Sequence, residues 1–304
     1  MSTNSLRAAD RTAGELAGSM ADRTAGELAG FAVMRERARA ENFPVASRLL
    51  PRATRSHLLA LYGFARLIDD AGDEAFGDRL ALLDRLESDL EQVWRGAVAH
   101  HPQIAGLGPT VAACALPIDP FRALIEANRR DQVVHRYETF EDLLGYCALS
   151  ANPVGELVLR VFGAATPERL RYSEQICSAL QLAEHWQDVK EDYGRGRIYL
   201  PAADRERFGL RESELGAAAP SAAFRALMAF ELSRARQLLD AGAPLVRMLR
   251  GRSAFAVATF VAGGRSALDA IERADYDVVG ATPRPSAALR AAALVATLLR
   301  GGAR

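Results

Sequence analysis

The sequence lacks several features that mark common classes of protein. It has no excess charge, since 38 basic and 38 acidic residues balance in a chain of 304. A neutral chain has no global field that attracts a polyanion, so we expect no nucleic-acid partner. No apolar run reaches the ~18 residues of a membrane span. The N-terminus has no apolar segment of the kind found in signal peptides, which favours a cytoplasmic location.

Paired cysteines and ligand-spaced histidines are also missing. The three cysteines, Cys114, Cys147 and Cys177, are odd in number and far apart. This spacing argues against a disulfide framework and a zinc site, and it fits a reducing compartment. None of the five histidines lies in an HExxH pattern. We therefore expect the histidines to be surface residues or to have protein hydrogen-bond partners.

The chain divides into a short repeat and one long helical region. Residues 9–18 and 21–30 carry the same ten letters, ADRTAGELAG, so we predict a weakly ordered tail over residues 1–30. No alternation typical of strands follows, and residues 31–304 are predicted to form one all-α domain. Periodic apolar residues predict helices at 53–70, 78–97, 120–136, 139–149, 153–163, 167–192, 220–249, 253–274 and 286–300.

Two segments outside this pattern carry their own predictions. Residues 197–201 (RIYLP) are the only stretch with an extended appearance. Residues 291–299 are apolar but too short to span a membrane, so we predict a closing core helix, with contact to a membrane surface as the alternative.

The first acidic cluster lies in residues 58–74. Tyr62, Arg66, Asp69 and Asp73 follow one another at steps of four, three and four, which places them on one helix face. Carboxylates four residues apart lie about 6 Å apart and repel each other unless a cation lies between them. Mg²⁺ binds carboxylate oxygens and leaves positions open for water and phosphate. The face is therefore a candidate magnesium site.

The second acidic cluster lies in residues 180–201. Glu184, Asp188 and Asp192 are spaced at i, i+4 and i+8, and Gln181 lies on a neighbouring line. Arg195 and Arg197 follow, and the planar guanidinium of arginine can bind two diphosphate oxygens at once. Spacing of this kind also occurs on solvated helix faces, so the residues alone leave both interpretations open.

With these motifs the sequence resembles the squalene/phytoene synthase family, over roughly residues 38–280. The family pattern Y-x3-R-x2-D-x3-D falls on Tyr62, Arg66, Asp69 and Asp73. The pattern YC-x3-A-G-x-V-G falls on residues 146–155, with Asn152 in place of glycine. The pattern Q-x2-N-x3-D-x3-D falls on Gln181, Glu184, Asp188 and Asp192, with Glu184 in place of asparagine.

The resemblance implies a fold and a set of site residues. The fold is a single-domain class I isoprenoid (terpenoid) synthase helical bundle with a central apolar cavity. Mg²⁺ is the implied cofactor and an isoprenoid diphosphate the implied substrate. The implied metal ligands are Asp69, Asp73, Glu184, Asp188 and Asp192. The implied catalytic residues are Tyr62, Arg66, Asp69, Asp73 and Tyr146, and the implied substrate-binding residues are Arg66, Gln181, Gln187, Arg195 and Arg197.

Within the family, residues 41–51, 186–189 and 271–278 are most similar to a branch that acts on presqualene diphosphate. The implied reaction is Mg²⁺-dependent ionisation, rearrangement and capture by water, giving hydroxysqualene and diphosphate. The alternative is head-to-head condensation of two prenyl diphosphates to presqualene diphosphate, squalene or phytoene. A non-catalytic scaffold is disfavoured, because the aspartates of both motifs are present. Transient contact with a membrane surface or a pathway enzyme is expected, since the product is poorly soluble in water.

Two further expectations concern single positions. Gln187 stands where squalene synthases often carry arginine, which suits a site that handles one diphosphate rather than two. Asn128, Asp131 and Tyr137 lie on a polar helix face that we expect to be solvated, with the edge of the cavity as the alternative.

Overall fold

The computed structural model describes residues 49–302, which all belong to one compact unit. Within this range the chain is helical nearly throughout, and the all-α prediction is confirmed. The helices are α1 Arg52–Asp73, α2 Arg79–Trp94, α3 Pro102–Ala105, α4 Gly108–Cys114, α5 Asp119–Arg130, α6 Phe140–Ser150, α7 Asn152–Val161, α8 Pro167–Gln187, α9 Val189–Gly194, α10 Ala202–Arg207, α11 Ala222–Gly242, α12 Leu245–Met248, α13 Gly251–Arg273 and α14 Ala287–Gly302. A 3₁₀ turn covers Glu212–Gly216.

Polar caps fix where several helices begin. Thr139 and Asp142 form a capping box at the start of α6, and Thr166 and Ser221 accept backbone N–H groups at the starts of α8 and α11. Each cap satisfies donors that the first helical turn leaves without an intrahelical partner. The caps therefore stabilise the first turns of α6, α8 and α11 and define where these helices begin.

Helix α8 is the central element of the packing. It lies against α7, α11 and α13, and its Trp186 is fully buried. Gly155 allows the close approach of α7, because a Cβ there would lie 2.4 Å from Ser173 Oγ and 2.5 Å from Cys177 Sγ. This packing fixes α8, which carries Gln181 and Glu184 on another part of its surface.

Three predicted helices are shorter in the structure than in the sequence pattern. The predicted helix 167–192 is interrupted at Asp188, where ψ is 15°. The predicted helix 220–249 divides near Pro244, which cannot continue the hydrogen-bond ladder. The predicted helix 120–136 ends at Arg130. The chain beyond α5 turns toward residues 197–201, where the Ile198 N–H donates to the His135 carbonyl at 2.8 Å in an isolated parallel bridge.

The last two long helices, α13 and α14, are both apolar, and their burial bears on the predicted contact with a membrane surface. Helix α13 is long and apolar enough to cross a membrane, but 67% of its most apolar stretch is buried, as in the core helix of a globular protein. Helix α14 packs on α13 through Leu289, Ala293 and Thr297. Its other face exposes Val295, Leu298 and Leu299 to solvent. The predicted closing helix thus has a core face and an exposed apolar face.

Predictions for the first 48 residues lie outside the described range. These are the weakly ordered tail, the domain boundary at residue 30 and most of the segment 41–51.

Candidate active site between two acidic walls

The first acidic wall is formed by Asp69 and Asp73 near the end of α1. Leu61, Phe64 and Ile68 are buried on the opposite side of this helix, which turns the two carboxylates outward. Asn128 of α5 donates from Nδ2 to Asp69 Oδ1 at 3.3 Å. A Cβ at position 72 would lie 2.2 Å from Asn128 Oδ1, so Gly72 is what allows α5 to come so close.

Arg66 lies one turn before this wall and points to a neighbouring hollow. Its guanidinium lies 3.1 Å from Asp70 and 3.8 Å from Glu74. An outer cavity of about 490 Å³ is lined by Arg66, Asp69, Asp70, Asp73, Glu74, Arg79, Arg195 and Arg197. Asp70 and Glu74 thus line the same outer cavity as Asp69 and Asp73.

The second acidic wall consists of Glu184, Asp188 and Asp192. The prediction of one continuous helix for these residues is wrong, because the helix breaks at Asp188. The backbone bonds from Asp188 N to Glu184 O and from Asp192 N to Asp188 O keep the one-turn spacing across the break. The three side chains consequently still face the same cavity. Within residues 49–302, no hydrogen bond or ion pair reaches the carboxylates of Asp188 and Asp192.

One arginine joins the two walls. Arg197 follows α9 and donates from a terminal nitrogen to Asp73 Oδ1 of α1 at 2.7 Å. Arg195 pairs instead with Glu191, at 2.8 Å along the same helix. Both arginines line the outer and the inner cavity. The site thus contains positive charge beside the carboxylates, where a diphosphate would need it.

The inner cavity, of about 270 Å³, lies between the walls. It is lined by Asp69, Asp73, Leu124, Ala127, Asn128, Asp131, Tyr146, Ser150, Gln181, Glu184, His185, Asp188, Asp192, Arg195, Arg197 and Tyr199. Most of these side chains are polar or charged. The carboxylates and arginines of the two motifs converge on these two cavities. Both cavities are therefore polar, and they differ in this respect from the central apolar cavity that the resemblance implies.

Within each wall, burial and neighbouring carboxylates disfavour the charged form of the acidic side chains. Removal from bulk water raises the pKa of Asp69 to about 6, although the carboxylate opens onto the cavity. Burial, followed by the charge of Asp188, raises the pKa of Asp192 to about 7, and burial also raises that of Asp188. Anionic groups gathered at such a site cost free energy unless a cation neutralises them.

This donor set fits Mg²⁺ that is shared with a substrate. Carboxylate oxygens are the ligands that Mg²⁺ prefers, and it usually takes one or two of them together with waters and substrate phosphates. Among residues 49–302, no group of three or more acidic, histidine or cysteine side chains is gathered closely enough to hold an ion by itself. Diphosphate oxygens would therefore have to complete the coordination between the walls.

Three neighbouring rings, those of Tyr146, His185 and Tyr199, line the inner cavity. His185 stacks on Tyr199 with ring centroids 3.6 Å apart, and its Nε2 lies 3.2 Å from Gln181 Nε2. Tyr146 donates from its hydroxyl to Asp131 Oδ2 at 2.7 Å. Burial lowers the pKa of His185 to about 3, so it is neutral at physiological pH. His185 has a protein partner, as expected, but it also lines the cavity.

Two predicted site residues lie apart from this arrangement. Gln187 is 4% exposed and donates to the Pro283 carbonyl at 2.6 Å, so its side chain packs against the segment before α14. Neither Gln187 nor Tyr62 lines the inner or the outer cavity. Burial of Trp186 and Val189 on either side turns Gln187 inward, away from the acidic face.

Sequence reasoning missed other residues of the cavity. Asn128 and Asp131, expected on a solvated face, are 8% and 7% exposed and line the inner cavity. The motifs do not indicate Tyr199 or His185 as site residues, although both line the inner cavity. One sequence feature could have indicated Tyr199. It lies in the extended segment 197–201, two residues after Arg197, and this segment lies beside the cavity.

An all-α fold of this kind, with two acidic walls that face each other between helices, is that of the isoprenoid (terpenoid) synthases. The sequence model of the squalene/phytoene synthase family matches residues 37–291. The chain therefore belongs to the squalene/phytoene synthase family, and it is an enzyme of isoprenoid synthesis.

Individual relatives support this assignment. The chain is 33% identical to the 15-cis-phytoene synthase of Synechococcus elongatus over 253 residues, which cover 79% of this chain and 82% of that protein. It is 33% identical to the hydroxysqualene synthase of Rhodopseudomonas palustris over 216 residues, 70% and 72% of the two chains. The crystal structure of the squalene synthase HpnC from Alicyclobacillus acidocaldarius is 44% identical, with a TM-score of 0.75 over 81% of this chain and 94% of that one.

Proposed function

We propose that the inner cavity binds the diphosphate of an isoprenoid substrate with Mg²⁺ and promotes its departure. The observation that carries this proposal is the pairing of two acidic walls with Arg197 between them. Bound Mg²⁺ would neutralise the charge that develops on the leaving diphosphate. The five carboxylates of the walls are the proposed ligands.

The arginines would bind and orient the leaving group. Arg197, held by Asp73 in the free protein, can offer its remaining N–H groups to diphosphate oxygens. Arg66 and Arg195 line the outer cavity and supply further positive charge at the entrance. The neutral His185 and the rings of Tyr146 and Tyr199 line the inner cavity, and aromatic faces stabilise cations such as the proposed carbocation.

For the particular reaction, we propose a hydroxysqualene synthase. The enzyme would ionise presqualene diphosphate, rearrange the cyclopropyl cation and capture it with water, giving hydroxysqualene and diphosphate. Support comes from the similarity to the hydroxysqualene synthases of Rhodopseudomonas palustris and Zymomonas mobilis, at 33% and 37% identity. Gln187, which packs against Pro283 rather than facing the cavity, adds no cation for a second diphosphate. The classification as a lyase follows from this reaction.

The alternative is a condensing prenyltransferase of the same fold. It has specific support, because the phytoene synthase of Synechococcus elongatus is 33% identical over 79% of this chain. Such an enzyme would join two prenyl diphosphates and be classified as a transferase.

Product analysis with two substrates separates these reactions. The purified protein is incubated with Mg²⁺ and either presqualene diphosphate or farnesyl diphosphate, and the extracts are analysed by mass spectrometry. We expect hydroxysqualene from the first substrate and no condensation product from the second. Efficient condensation of farnesyl diphosphate would contradict the proposal. Asp69→Asn is the matched control, and it should slow diphosphate release.

We also propose transient contact with a membrane surface through α14. Val295 and Leu299 are 56% and 69% exposed, and both the substrate and the product are poorly soluble in water. Cosedimentation with anionic lipid vesicles tests this contact. The double variant Val295→Asp/Leu299→Asp should lose it, whereas equal sedimentation of the variant and the wild type would contradict it.

A further inference from the structure

The inner cavity contains a carboxyl group that belongs to neither acidic wall. Asp131 directly follows the last residue of α5 and is 7% exposed. Its Oδ2 accepts the hydroxyl proton of Tyr146 at 2.7 Å. Its Oδ1 is buried and has no hydrogen-bond partner among residues 49–302. Asp131 is therefore fixed in place through one oxygen, while the other still needs a donor.

The surroundings of Asp131 are aromatic. The ring centroids of Tyr137, Tyr146 and Tyr199 lie 5.5–5.8 Å from one another. The hydroxyl of Tyr137 is also buried without a partner in the described part of the chain. An unsatisfied buried polar atom is unfavourable, so such atoms normally bind a water molecule or a ligand. A carboxylate oxygen beside aromatic rings is thus suited to hold a water close to a carbocation.

Capture of a carbocation by water requires a proton acceptor. An oxygen lone pair of the water forms the bond to carbon, and the resulting oxonium must lose one proton to become the alcohol. Burial raises the pKa of Asp131 to about 6, and the hydrogen bond from Tyr146 opposes this rise. At neutral pH most of the molecules therefore carry the carboxylate, which can take up that proton.

We propose that Asp131 is the residue that binds the capturing water and accepts its proton through Oδ1. The proposal rests on the proposed hydroxysqualene synthase reaction. The leaving diphosphate departs with the electron pair of the C–O bond, the water supplies the new C–O bond, and Asp131 takes the released proton. Tyr146 positions the carboxylate by donating to Oδ2.

The test separates ionisation from capture. Wild-type protein and Asp131→Asn are incubated with presqualene diphosphate and Mg²⁺ in ¹⁸O-labelled water, and both released diphosphate and labelled alcohol are measured. We expect Asp131→Asn to keep releasing diphosphate while the ratio of alcohol to alkene products falls about 10²-fold, the usual contribution of a general base. Alkenes are expected because a cation without a captured water loses a proton from carbon.

Asp89→Asn is the matched control. Asp89 is a 9%-exposed carboxylate that accepts the backbone N–H groups of His100 and His101, outside both cavities. This control should keep the wild-type ratio of products. Should Asp131→Asn fail to fold, Asp131→Ala removes the same carboxylate without adding bulk and is judged by the same ratio.

The outcomes distinguish this proposal from the one on which it depends. A wild-type protein that releases no diphosphate, or forms no labelled alcohol, overturns the proposed reaction itself. A wild-type protein that forms the alcohol, together with a folded Asp131 variant of unchanged product ratio, overturns only the role of Asp131. Loss of diphosphate release in the folded variant also overturns that role, because it would place Asp131 in the ionisation step.

Discussion

The two acidic walls differ in how the protein itself neutralises them. On α1, Asp69 accepts a hydrogen bond from Asn128 and Asp73 is paired with Arg197. On the opposite wall, Asp188 and Asp192 are half-buried and have no hydrogen-bond or ion-pair partner among residues 49–302. A hydrogen bond and an ion pair therefore hold the first wall in place, whereas Asp188 and Asp192 have only the longer-range compensation of Arg195, Arg197 and Arg284.

This difference suggests a division of labour for the proposed cation. A carboxylate that already has a donor is positioned before any ligand arrives, which lowers the cost of ordering it. Unpartnered carboxylates repel each other and gain most when a cation binds. The break in the helix at Asp188 lies in the second wall. The two walls therefore differ both in backbone geometry and in how their charges are neutralised. We infer that the second wall contributes most to the affinity for Mg²⁺.

The largest expected effect is that of Asp192→Asn. Removing this carboxylate takes away a proposed ligand for which no protein group can substitute, so kcat should fall about 10²–10³-fold. Steady-state release of diphosphate measures the change. Glu191→Gln is the control, because Glu191 is exposed and lines neither cavity. A kcat within threefold of wild type for Asp192→Asn would break the comparison between the walls.

Arg197→Ala should have the next largest effect. It removes the ion pair between the walls and a proposed donor to diphosphate, and hydrogen bonds to charged groups contribute about 1.5–3 kcal/mol. We expect kcat/KM to fall about 10–100-fold, with a smaller fall for Arg195→Ala, whose partner Glu191 lies along the same helix. Equal effects of the two substitutions would show that the pairing with Asp73 has no special role.

Glu231 is a buried carboxyl group outside the site, and the pH dependence of its effect on stability can be compared with the behaviour of the two acidic walls. Glu231 is 0% exposed, and burial raises its pKa to about 8 despite the nearby Arg234. Because the folded-state pKa lies above the unfolded value, the contribution of Glu231 to stability is fully present below about pH 4.5 and is lost as pH rises toward 8.

Glu231→Gln should therefore stabilise the protein relative to wild type more at pH 8 than at pH 5. The expected difference in unfolding free energy is on the order of 1–3 kcal/mol. Denaturant unfolding at the two pH values measures it, with exposed Glu138→Gln as the control. Activity should persist, since Glu231 lines neither cavity. A pH-independent difference would contradict the assigned shift.

The smallest expected effects are opposite changes in melting temperature for the two walls. In metal-free buffer, Asp188→Asn relieves repulsion from Asp192 and should raise Tm by about 1–3 °C. Asp73→Asn loses the charge that pairs with Arg197 and should lower Tm by a similar amount. Scanning calorimetry in the presence of a chelator measures both. Changes of the same sign would show that the walls are neutralised alike.

Site residues were predicted better where acidic side chains recur at a regular helical spacing than where their positions depend on tertiary contacts or on a break in a helix. The four-residue spacing of Asp69 and Asp73 on α1 was sufficient to place both on one face. The break at Asp188 could not be predicted, because apolar periodicity continues through it. The resemblance implies a site role for Gln187, at a position where squalene synthases often carry arginine, but its side chain lies between the buried Trp186 and Val189 and donates to the Pro283 carbonyl.

Tertiary contacts explain the residues that the pattern missed. Asp131 lies at the end of α5, and only the packing of α5 against α6 brings it to Tyr146. Asn128 reaches Asp69 because α5 crosses α1 at Gly72. Neither contact follows a regular spacing in the sequence. The polar face that carries Asn128 and Asp131 therefore has the same pattern as a solvated helix face.

The most direct test of the central claim is the dependence of diphosphate release on Mg²⁺. Wild-type protein is mixed with presqualene diphosphate first in excess chelator and then over increasing Mg²⁺ concentrations. If the two walls form a shared metal and diphosphate site, release is negligible in chelator and rises with Mg²⁺ to saturation. Release at the full rate in chelator would contradict the account.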